Sequence, residues 1–313
     1  MRTVPIVLAG RGPVGRQFTE LIAERGEQWR ADHGLDLRVV AARGRERERI
    51  GREEGPLTDL AGLLERTGAE VFAQAVPSDG DPRAADEALT ALRHGAHLVT
   101  ATKSHLLAHW TELAAAATGS SVRISAATGA AMPAGDLARS VLRGFDVRSV
   151  SGCLNGTSTF VLDRLAEGAD LPSAIAQAQR SGIAEADPTA DLSGTDAATK
   201  FRLLAALLWG WDPATTRFEG EPIAEPLPAV PEGGRLRHIA SADRDEPGVV
   251  RVRLRAADGA LAALRGPDKA VRYDCGEAGE IVLSGGRSSP RGAALSMIKD
   301  TIGALLESTT GFR

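Results

Sequence analysis

The chain has 313 residues, more than one ordinary hydrophobic core holds, so we expect two domains. Its 43% apolar and 25% charged residues are typical of a soluble globular protein. The net charge of −4 argues against binding to nucleic acid or to an anionic membrane. Two cysteines, Cys153 and Cys275, are too few for a disulfide scaffold and lack metal-binding spacing. Because no apolar run reaches membrane length and no signal-peptide pattern is present, we expect a cytoplasmic protein.

The first 130 or so residues alternate between short apolar runs and longer amphipathic segments. The predicted strands are residues 4–9, 37–42, 71–76, 97–101 and 122–126, and the predicted helices are residues 15–27, 84–94 and 105–117. Alternation at these lengths indicates βαβ units around a parallel sheet. The arginine-rich run at residues 43–52 is interpreted as a charged, solvent-facing helix or loop.

The pattern changes after Pro133. The predicted helices are then residues 136–142, 158–166, 172–180, 197–209 and 293–306, and the predicted strands are residues 147–154, 249–255 and 280–283. Residues 212–234 contain five prolines and several acids, which predicts a loop or linker on the surface. The later strands alternate like those of an open sheet, so the fold class is α/β followed by an α+β domain.

A glycine-rich loop joins the first predicted strand to the first predicted helix. Gly10, Gly12 and Gly15 match the pattern G-x-G-x-x-G. In such loops the first Gly permits a tight turn, the second lets a pyrophosphate approach the backbone, and the third lets helix and strand pack closely. Pro13 and Val14 belong to the same loop as candidate cofactor contacts, and the N-terminal N–H groups of the helix that follows attract phosphates. This context favours a dinucleotide site over a simple tight turn.

The ends of two later strands bear on the cofactor. NAD-specific sites place an Asp or Glu after the second strand, but here Arg43 and Arg45 precede the first acid, Glu46. An arginine can fork onto a 2′-phosphate, so NADP is favoured and NAD stays possible, with surface arginines as the alternative. Lys103 ends another strand at the sheet edge where ligands of such folds bind. A surface lysine is the alternative there.

The segment GIAEADPTADLSGTDAATK, residues 182–200, is an acid-rich loop that runs into a helix. Glu185 and Asp191 belong to the loop, and Asp196 and Lys200 lie four residues apart on one face of the helix. The same face continues with leucines, so we expect it to point inward. A lysine buried beside a carboxylate is a poised proton donor. An exposed pair that caps the helix is the alternative.

These motifs together resemble the homoserine dehydrogenase family. The resemblance rests on GRGPVG, on VTATK, on LNGTS at residues 154–158 and above all on residues 182–200. It implies reversible reduction of aspartate 4-semialdehyde to homoserine with NAD(P)H, a step of threonine and methionine biosynthesis. It also implies a homodimer of the short form, without the regulatory domain that many members carry, so we expect no threonine feedback through such a domain.

The resemblance implies how the chain is divided and which residues act. A Rossmann-type domain at residues 1–132 binds the dinucleotide, residues 133–290 bind substrate and dimerise, and a C-terminal helix at residues 291–313 returns to the first domain. Lys200 is implied as the proton donor to the carbonyl oxygen. The other residues with implied catalytic or substrate roles are Asp196, Lys103, Glu185, Asp191, Thr157 and Gly156. Besides the glycine loop and the arginines, the residues implied to contact the cofactor are Lys103, Gly182 and Gly286.

The sequence departs from the family at the position of a monovalent cation. A family Glu gives a side-chain oxygen to that cation, together with the carbonyls that match Thr128, Ala130 and Met132. Here Ser125 stands in place of the Glu. Because a neutral hydroxyl replaces a charged hard ligand, we predict no metal site and leave a bound cation open.

Other departures leave the substrate open. Thr102 stands where the family has Asn, Ile183 where Tyr is common and Thr159 where Asn is common. A reductase of another small amino-acid semialdehyde or keto substrate, in specialised metabolism, is therefore the second hypothesis. A non-catalytic sensor of NADP is the third, and the presence of Lys200 and Glu185 argues against it because a pure binder needs neither.

Overall fold

The structure is a computed structural model that describes residues 1–307. Within this range the chain divides into two compact units. Unit 1 comprises Met1–Pro133 and the segment that begins at Ser289, and unit 2 comprises Ala134–Ser288. None of the helices in residues 1–307 combines the length and the apolar character needed to cross a membrane.

Unit 1 is built on a seven-stranded sheet. Its strands are β1 (Arg2–Ala9), β2 (Leu35–Arg43), β3 (Arg47–Ile50), β4 (Glu53–Pro56), β5 (Val71–Gln74), β6 (His97–Thr100) and β7 (Val122–Arg123). Their order across the sheet is β4-β3-β2-β1-β5-β6-β7. All neighbours from β2 to β7 pair in parallel, whereas β3 pairs antiparallel with β2 and with β4. The charged helix or loop predicted at residues 43–52 is therefore wrong, since this run ends one strand and forms the next.

The helices of unit 1 cover both faces of this sheet. They are α1 (Pro13–His33), α2 (Leu60–Thr67), α3 (Arg83–Arg93), α4 (Ser104–Ala108), α5 (Trp110–Ala116), α6 (Ser125–Gly129) and the C-terminal helix (Pro290–Leu306). The apolar side chains of β1, such as Ile6 and Leu8, share one core with Phe18 of α1 and with Met297 and Ile298 of the C-terminal helix. A parallel strand covered on both faces is apolar throughout, which explains the uninterrupted run in β1.

Two predicted elements of unit 1 are shorter than expected. The single helix predicted at residues 105–117 is two helices, α4 and α5, that meet at His109. The strand predicted at residues 122–126 ends at Arg123, because Ser125 already begins α6. The backbone N–H and the hydroxyl of Ser125 both donate to the carboxylate of Asp300. These two hydrogen bonds hold Ser125 at the start of α6 rather than in the sheet.

Unit 2 contains a six-stranded mixed sheet. Its strands are β8 (Ser149–Cys153), β9 (Arg217–Gly220), β10 (Arg235–Asp243), β11 (Val249–Ala257), β12 (Ala270–Asp274) and β13 (Glu280–Ser284), and their order is β13-β12-β8-β10-β11-β9. Only β9, which pairs with β11, is parallel to its neighbour. The linker predicted at residues 212–234 thus contains one edge strand.

The helices of unit 2 carry the residues of most interest. They are α7 (Ala134–Asp136), which continues into a π-helical turn at Leu137–Val141, α8 (Gly156–Ala166), α9 (Leu171–Arg180), α10 (Thr189–Leu192), α11 (Thr195–Trp209) and α12 (Gly259–Ala262). One apolar cluster joins α8 and α9 to β10 and β11 through side chains such as Val161, Ala174 and Leu236. Helix α11 packs against β10 and β11. This arrangement sets α8 and α11 so that their N-termini approach each other.

Candidate active site

The glycine loop of unit 1 has the geometry that a dinucleotide requires. Gly10 has a φ of +103°, and a Cβ there would lie 2.2 Å from the carbonyl oxygen of Ala75. A Cβ on Gly15 would lie 1.9 Å from the carbonyl oxygen of Gly10, so this residue is fixed as Gly by helix packing. A Cβ on Gly12 would meet nothing within 4 Å. The loop is therefore closed against the sheet and open where a pyrophosphate approaches the backbone.

Arg43 does not have the free side chain that was predicted. Its guanidinium is only 5% exposed, donates to Glu48 and Glu87, and also donates to the carbonyl of Thr58 at 3.1 Å. These partners lie inside unit 1 and leave no pair of N–H groups for bidentate binding of a 2′-phosphate. The prediction for Arg43 is therefore corrected to a buried ion-pair role. Arg45 is exposed, and its backbone carbonyl accepts from Arg83.

Other arginines collect beside the glycine loop. A cavity there lies between α1, the end of β1, the end of β2 and the β3 strand. Its lining residues are Leu8, Arg11, Gly15, Arg16, Thr19, Glu20, Ala42 and Arg49. Arg11 forms an ion pair with Glu54. Arg11 and Arg16 lie in and directly after the glycine loop, whereas Arg49 comes from β3, so the local motif does not identify the three arginines as a set.

The segment after β6 is tied to the segment after β5. The buried hydroxyl of Thr102 donates to the carbonyl of Val76 at 2.8 Å and accepts from the N–H of Val76 at 3.1 Å. Next to it Lys103 is half-buried, and its N–H donates to the hydroxyl of Ser78 at 2.8 Å. Thr102 therefore has a structural role that accounts for a hydroxyl at this position.

In unit 2 the predicted pair on α11 is formed. The Nζ of Lys200 lies 2.5 Å from the Oδ2 of Asp196 and donates to the carbonyl of Leu154 at 2.8 Å. The two side chains are 15% and 14% exposed, so the pair is largely withdrawn from water. Helix α11 begins after Gly194, whose φ is +83° and where a Cβ would lie 2.8 Å from Val252. The tight turn at Gly194 sets Asp196 in the first turn of the helix.

Asn155 joins two of the predicted acids. Its amide nitrogen donates to the Oδ1 of Asp191 at 2.5 Å and to the Oδ2 of Asp196 at 2.9 Å. Its amide oxygen accepts from the N–H of Ser158 at 2.9 Å and caps α8. Ser158 in turn donates to the carbonyl of Asp191. Asn155 was not among the predicted site residues, although it belongs to the LNGTS motif.

The other predicted residues of unit 2 lie on α8 and on exposed loops. Thr157 donates to the carbonyl of Ile183 at 3.1 Å, which holds the 182–185 loop against α8. A Cβ on Gly156 would lie 2.7 Å from the carbonyl oxygen of Pro267, so this Gly is fixed by close packing. Glu185 is exposed on that loop. Gly182 and Gly286 are exposed as well, the first after α9 and the second after β13.

A second lysine lies near the pair on α11. Lys269 precedes β12 and is only 1% exposed. Its pKa is lowered to about 8, chiefly by burial and also by the charge of Lys200, while the charge of Asp196 opposes the shift. The pairing of Ala270 with Cys153 places Lys269 beside the end of β8. No sequence pattern pointed to Lys269, because its burial depends on this strand register.

Two family models cover most of the chain. Residues 133–302 match the homoserine dehydrogenase model, and residues 10–127 match the model of the homoserine dehydrogenase NAD-binding domain. The chain belongs to the homoserine dehydrogenase family. This confirms the resemblance, the assignment as an NAD(P)-dependent dehydrogenase and the binding of a pyridine nucleotide.

Individual homoserine dehydrogenases agree with this assignment. The NAD(+)-dependent homoserine dehydrogenase of Pseudomonas canavaninivorans is 29% identical over 96% of each chain. The homoserine dehydrogenase of Corynebacterium glutamicum is 38% identical over 65% of this chain, but over only 47% of its own length. A hyperthermophilic archaeal homoserine dehydrogenase in complex with NADPH superposes with a TM-score of 0.84 at 24% identity, over 97% of this chain and 98% of that one. This last likeness confirms the predicted fold class.

Proposed function

We propose that this protein reduces L-aspartate 4-semialdehyde to L-homoserine reversibly, with Lys200 as the proton donor. The observation that carries the proposal is the arrangement of Lys200, Asp196, Asn155 and Asp191 in unit 2. Family membership supports the dehydrogenase chemistry. Unit 1 supplies the dinucleotide site and unit 2 supplies the proton donor and the carboxylates.

The contacts of Lys200 suit proton donation to an oxygen. A lysine ammonium has three N–H donors and no acceptor. Two of them are used at Leu154 and Asp196, which fixes the direction of the third. A bound nicotinamide would supply hydride to the aldehyde carbon, which would leave negative charge on the carbonyl oxygen. A fixed cation that also carries a proton stabilises this charge and then neutralises it.

The carboxylates suit the ammonium group of an amino-acid substrate. Asn155 holds one oxygen of Asp191 and one of Asp196, so their separation is set before substrate arrives. Glu185 adds a third carboxylate on the adjacent loop, which Thr157 anchors through Ile183. We propose that these acids bind the substrate ammonium. An orientation fixed in advance lowers the entropic cost of reaching the reactive geometry.

NADP is the proposed cofactor, with NAD as the alternative. The family includes both, since one relative is named NAD(+)-dependent and another is described in complex with NADPH. With Arg43 buried, support for NADP comes from Arg11, Arg16 and Arg49 around the cavity beside the glycine loop. Arginine forks suit a 2′-phosphate. The ratio of kcat/KM with NADP to that with NAD tests this, and Arg49→Ala should lower the ratio, while Arg25→Ala, at an exposed position of α1 outside the cavity lining, serves as the control.

The remaining roles belong to the same proposal. Lys103, next to the end of β6, is proposed to contact the nicotinamide, and Gly182 and Gly286 are proposed to approach the cofactor. A homodimer in the cytoplasm is proposed on family membership alone. Sedimentation equilibrium of the purified protein tests the dimer, and a monomer at assay concentration would contradict it.

The substrate is tested by turnover. Purified protein is given L-homoserine with NADP and then with NAD, and the absorbance of the reduced nicotinamide is followed. We expect turnover with homoserine and none with L-serine, whose side chain is one carbon shorter. No turnover of homoserine, together with turnover of another small amino alcohol, would favour the hypothesis of a different semialdehyde.

A further inference from the structure

Ser125 lies in a hydrogen-bonded cluster with two residues of the C-terminal helix. Its hydroxyl accepts from the Nζ of Lys299 at 2.7 Å and donates to the Oδ1 of Asp300 at 2.7 Å. The N–H of Ser125 donates to the Oδ2 of Asp300 at 2.9 Å. Lys299 and Asp300 also form an ion pair at 2.8 Å. The cluster lies within unit 1 and joins α6 to the C-terminal helix.

Ser125 does not fit the role of a cation ligand. One of the two lone pairs of the hydroxyl already accepts from the ammonium of Lys299, so a cation bound to the other would lie next to a positive charge. The carbonyl of Ala130, which belongs to the implied ligand set, also accepts a hydrogen bond from the hydroxyl of Ser296 on the C-terminal helix. An alkali cation at this point would meet a second positive charge at hydrogen-bond distance, with one neutral side-chain oxygen in place of a carboxylate.

The turn that follows α6 shows why the chain needs a firm attachment here. Ala130 has a φ of +51°, and within residues 1–307 no other non-glycine residue has a positive φ. Such a conformation is strained for a residue with a Cβ and persists only when its surroundings hold it. The contacts of Ser125 with Asp300 and of Ala130 with Ser296 hold both ends of this segment.

We propose that the ammonium of Lys299 replaces the monovalent cation in this protein. Lys299 supplies the positive charge in place of a bound ion, and the hydroxyl of Ser125 accepts a hydrogen bond from its ammonium. The buried carboxylate of Asp300 balances the charge and accepts from both partners. Stability and activity should therefore not depend on potassium or sodium.

Chemical rescue tests the proposal without relying on turnover. Thermal unfolding of the wild type is measured in potassium, sodium, ammonium and choline chloride at equal ionic strength. We expect the same Tm in all four salts. Lys299→Ala should lower the Tm in choline chloride, and ammonium or potassium should restore part of the loss in a saturable manner.

The matched control removes a different positively charged side chain of the same helix. Arg291 pairs with Glu24 and donates to Gln17, both on α1, and these contacts do not involve the Ser125 cluster. Arg291→Ala should show no saturable response to ammonium or potassium. A saturable rise in the Tm of the wild type with potassium would overturn the proposal, and so would a Lys299→Ala variant as stable as the wild type. Because the readout is the Tm, a failure of homoserine turnover would leave this result interpretable.

Discussion

Lys269 offers a test of the electrostatics around the site that needs no substrate. Its pKa in the folded protein is about 8, lowered from the ordinary value of 10.5 by burial and by Lys200. Each pKa unit corresponds to about 1.4 kcal/mol, so the shift of roughly 2.5 units costs about 3 kcal/mol of folding stability where the lysine is charged. Replacing Lys269 by Met keeps the length of the side chain and removes this cost.

The sign of the pH dependence follows from proton binding. Between pH 8 and 10.5 the unfolded chain keeps the Lys269 proton and the folded chain does not, so the free energy of unfolding rises with pH in this window. The cost is fully present below pH 8 and is lost as the pH approaches 10.5. We therefore expect the free energy of unfolding of Lys269→Met, relative to that of the wild type, to be highest below pH 8 and to fall by up to about 3 kcal/mol as the pH approaches 10.5.

Urea denaturation of both proteins below pH 8 and near pH 10.5 measures this difference. Arg255→Met, a substitution of an exposed cation on β11, is the control and should leave the pH dependence unchanged. A Lys269→Met variant that is less stable at neutral pH, by an amount that does not change with pH, would refute the reasoning. A stability cost beside Lys200 and Asp196 is of the kind that proteins retain at working sites.

Two further substitutions test contacts that position the site. Asn155→Ala removes the amide between Asp191 and Asp196 and the cap of α8, so we expect KM for homoserine to rise and stability to fall by about 1 kcal/mol; an unchanged KM in steady-state kinetics would contradict the bridge. Thr102→Val leaves two backbone groups of Val76 without their buried partner, and urea denaturation should show a loss of about 1–3 kcal/mol. Thr102→Ser is its control and should retain most of that stability.

The parts of the fold that sequence predicts are those whose signals are local. The strand β1, the glycine loop and α1 follow one another within about thirty residues, and each is encoded by its own apolar spacing or by Gly. The pair of Asp196 and Lys200 is equally local, since both lie on one face of a single helix. These predictions need no knowledge of what packs against the segment.

The missed parts depend on partners that are distant in sequence. Arg43 is buried because Glu48 and Glu87 receive its guanidinium, and Glu87 lies on α3. Strand β10 was not predicted because it contains Arg237, a charged residue buried beside Asp163 of α8. In each case a charge that indicates surface in the sequence is neutralised inside the fold.

Asn155 shows the same limit within the site. Its motif was recognised, yet its function depends on Asp191 and Asp196, which lie 36 and 41 residues further along the chain. The sequence contains all three residues but does not show that one amide contacts both acids. Lys269 is a similar case, because only the pairing of β12 with β8 brings it next to the pair on α11.

The most direct test of the account is the turnover of a Lys200→Met variant. We expect kcat for the oxidation of homoserine to fall by about 10²- to 10⁴-fold, because the group that exchanges a proton with the substrate oxygen is lost. The Kd of the dinucleotide, measured by fluorescence quenching, should stay near that of the wild type, and Ser193→Ala on the same segment should keep full activity. A Lys200→Met variant with the kcat of the wild type would contradict the central claim that Lys200 is the proton donor.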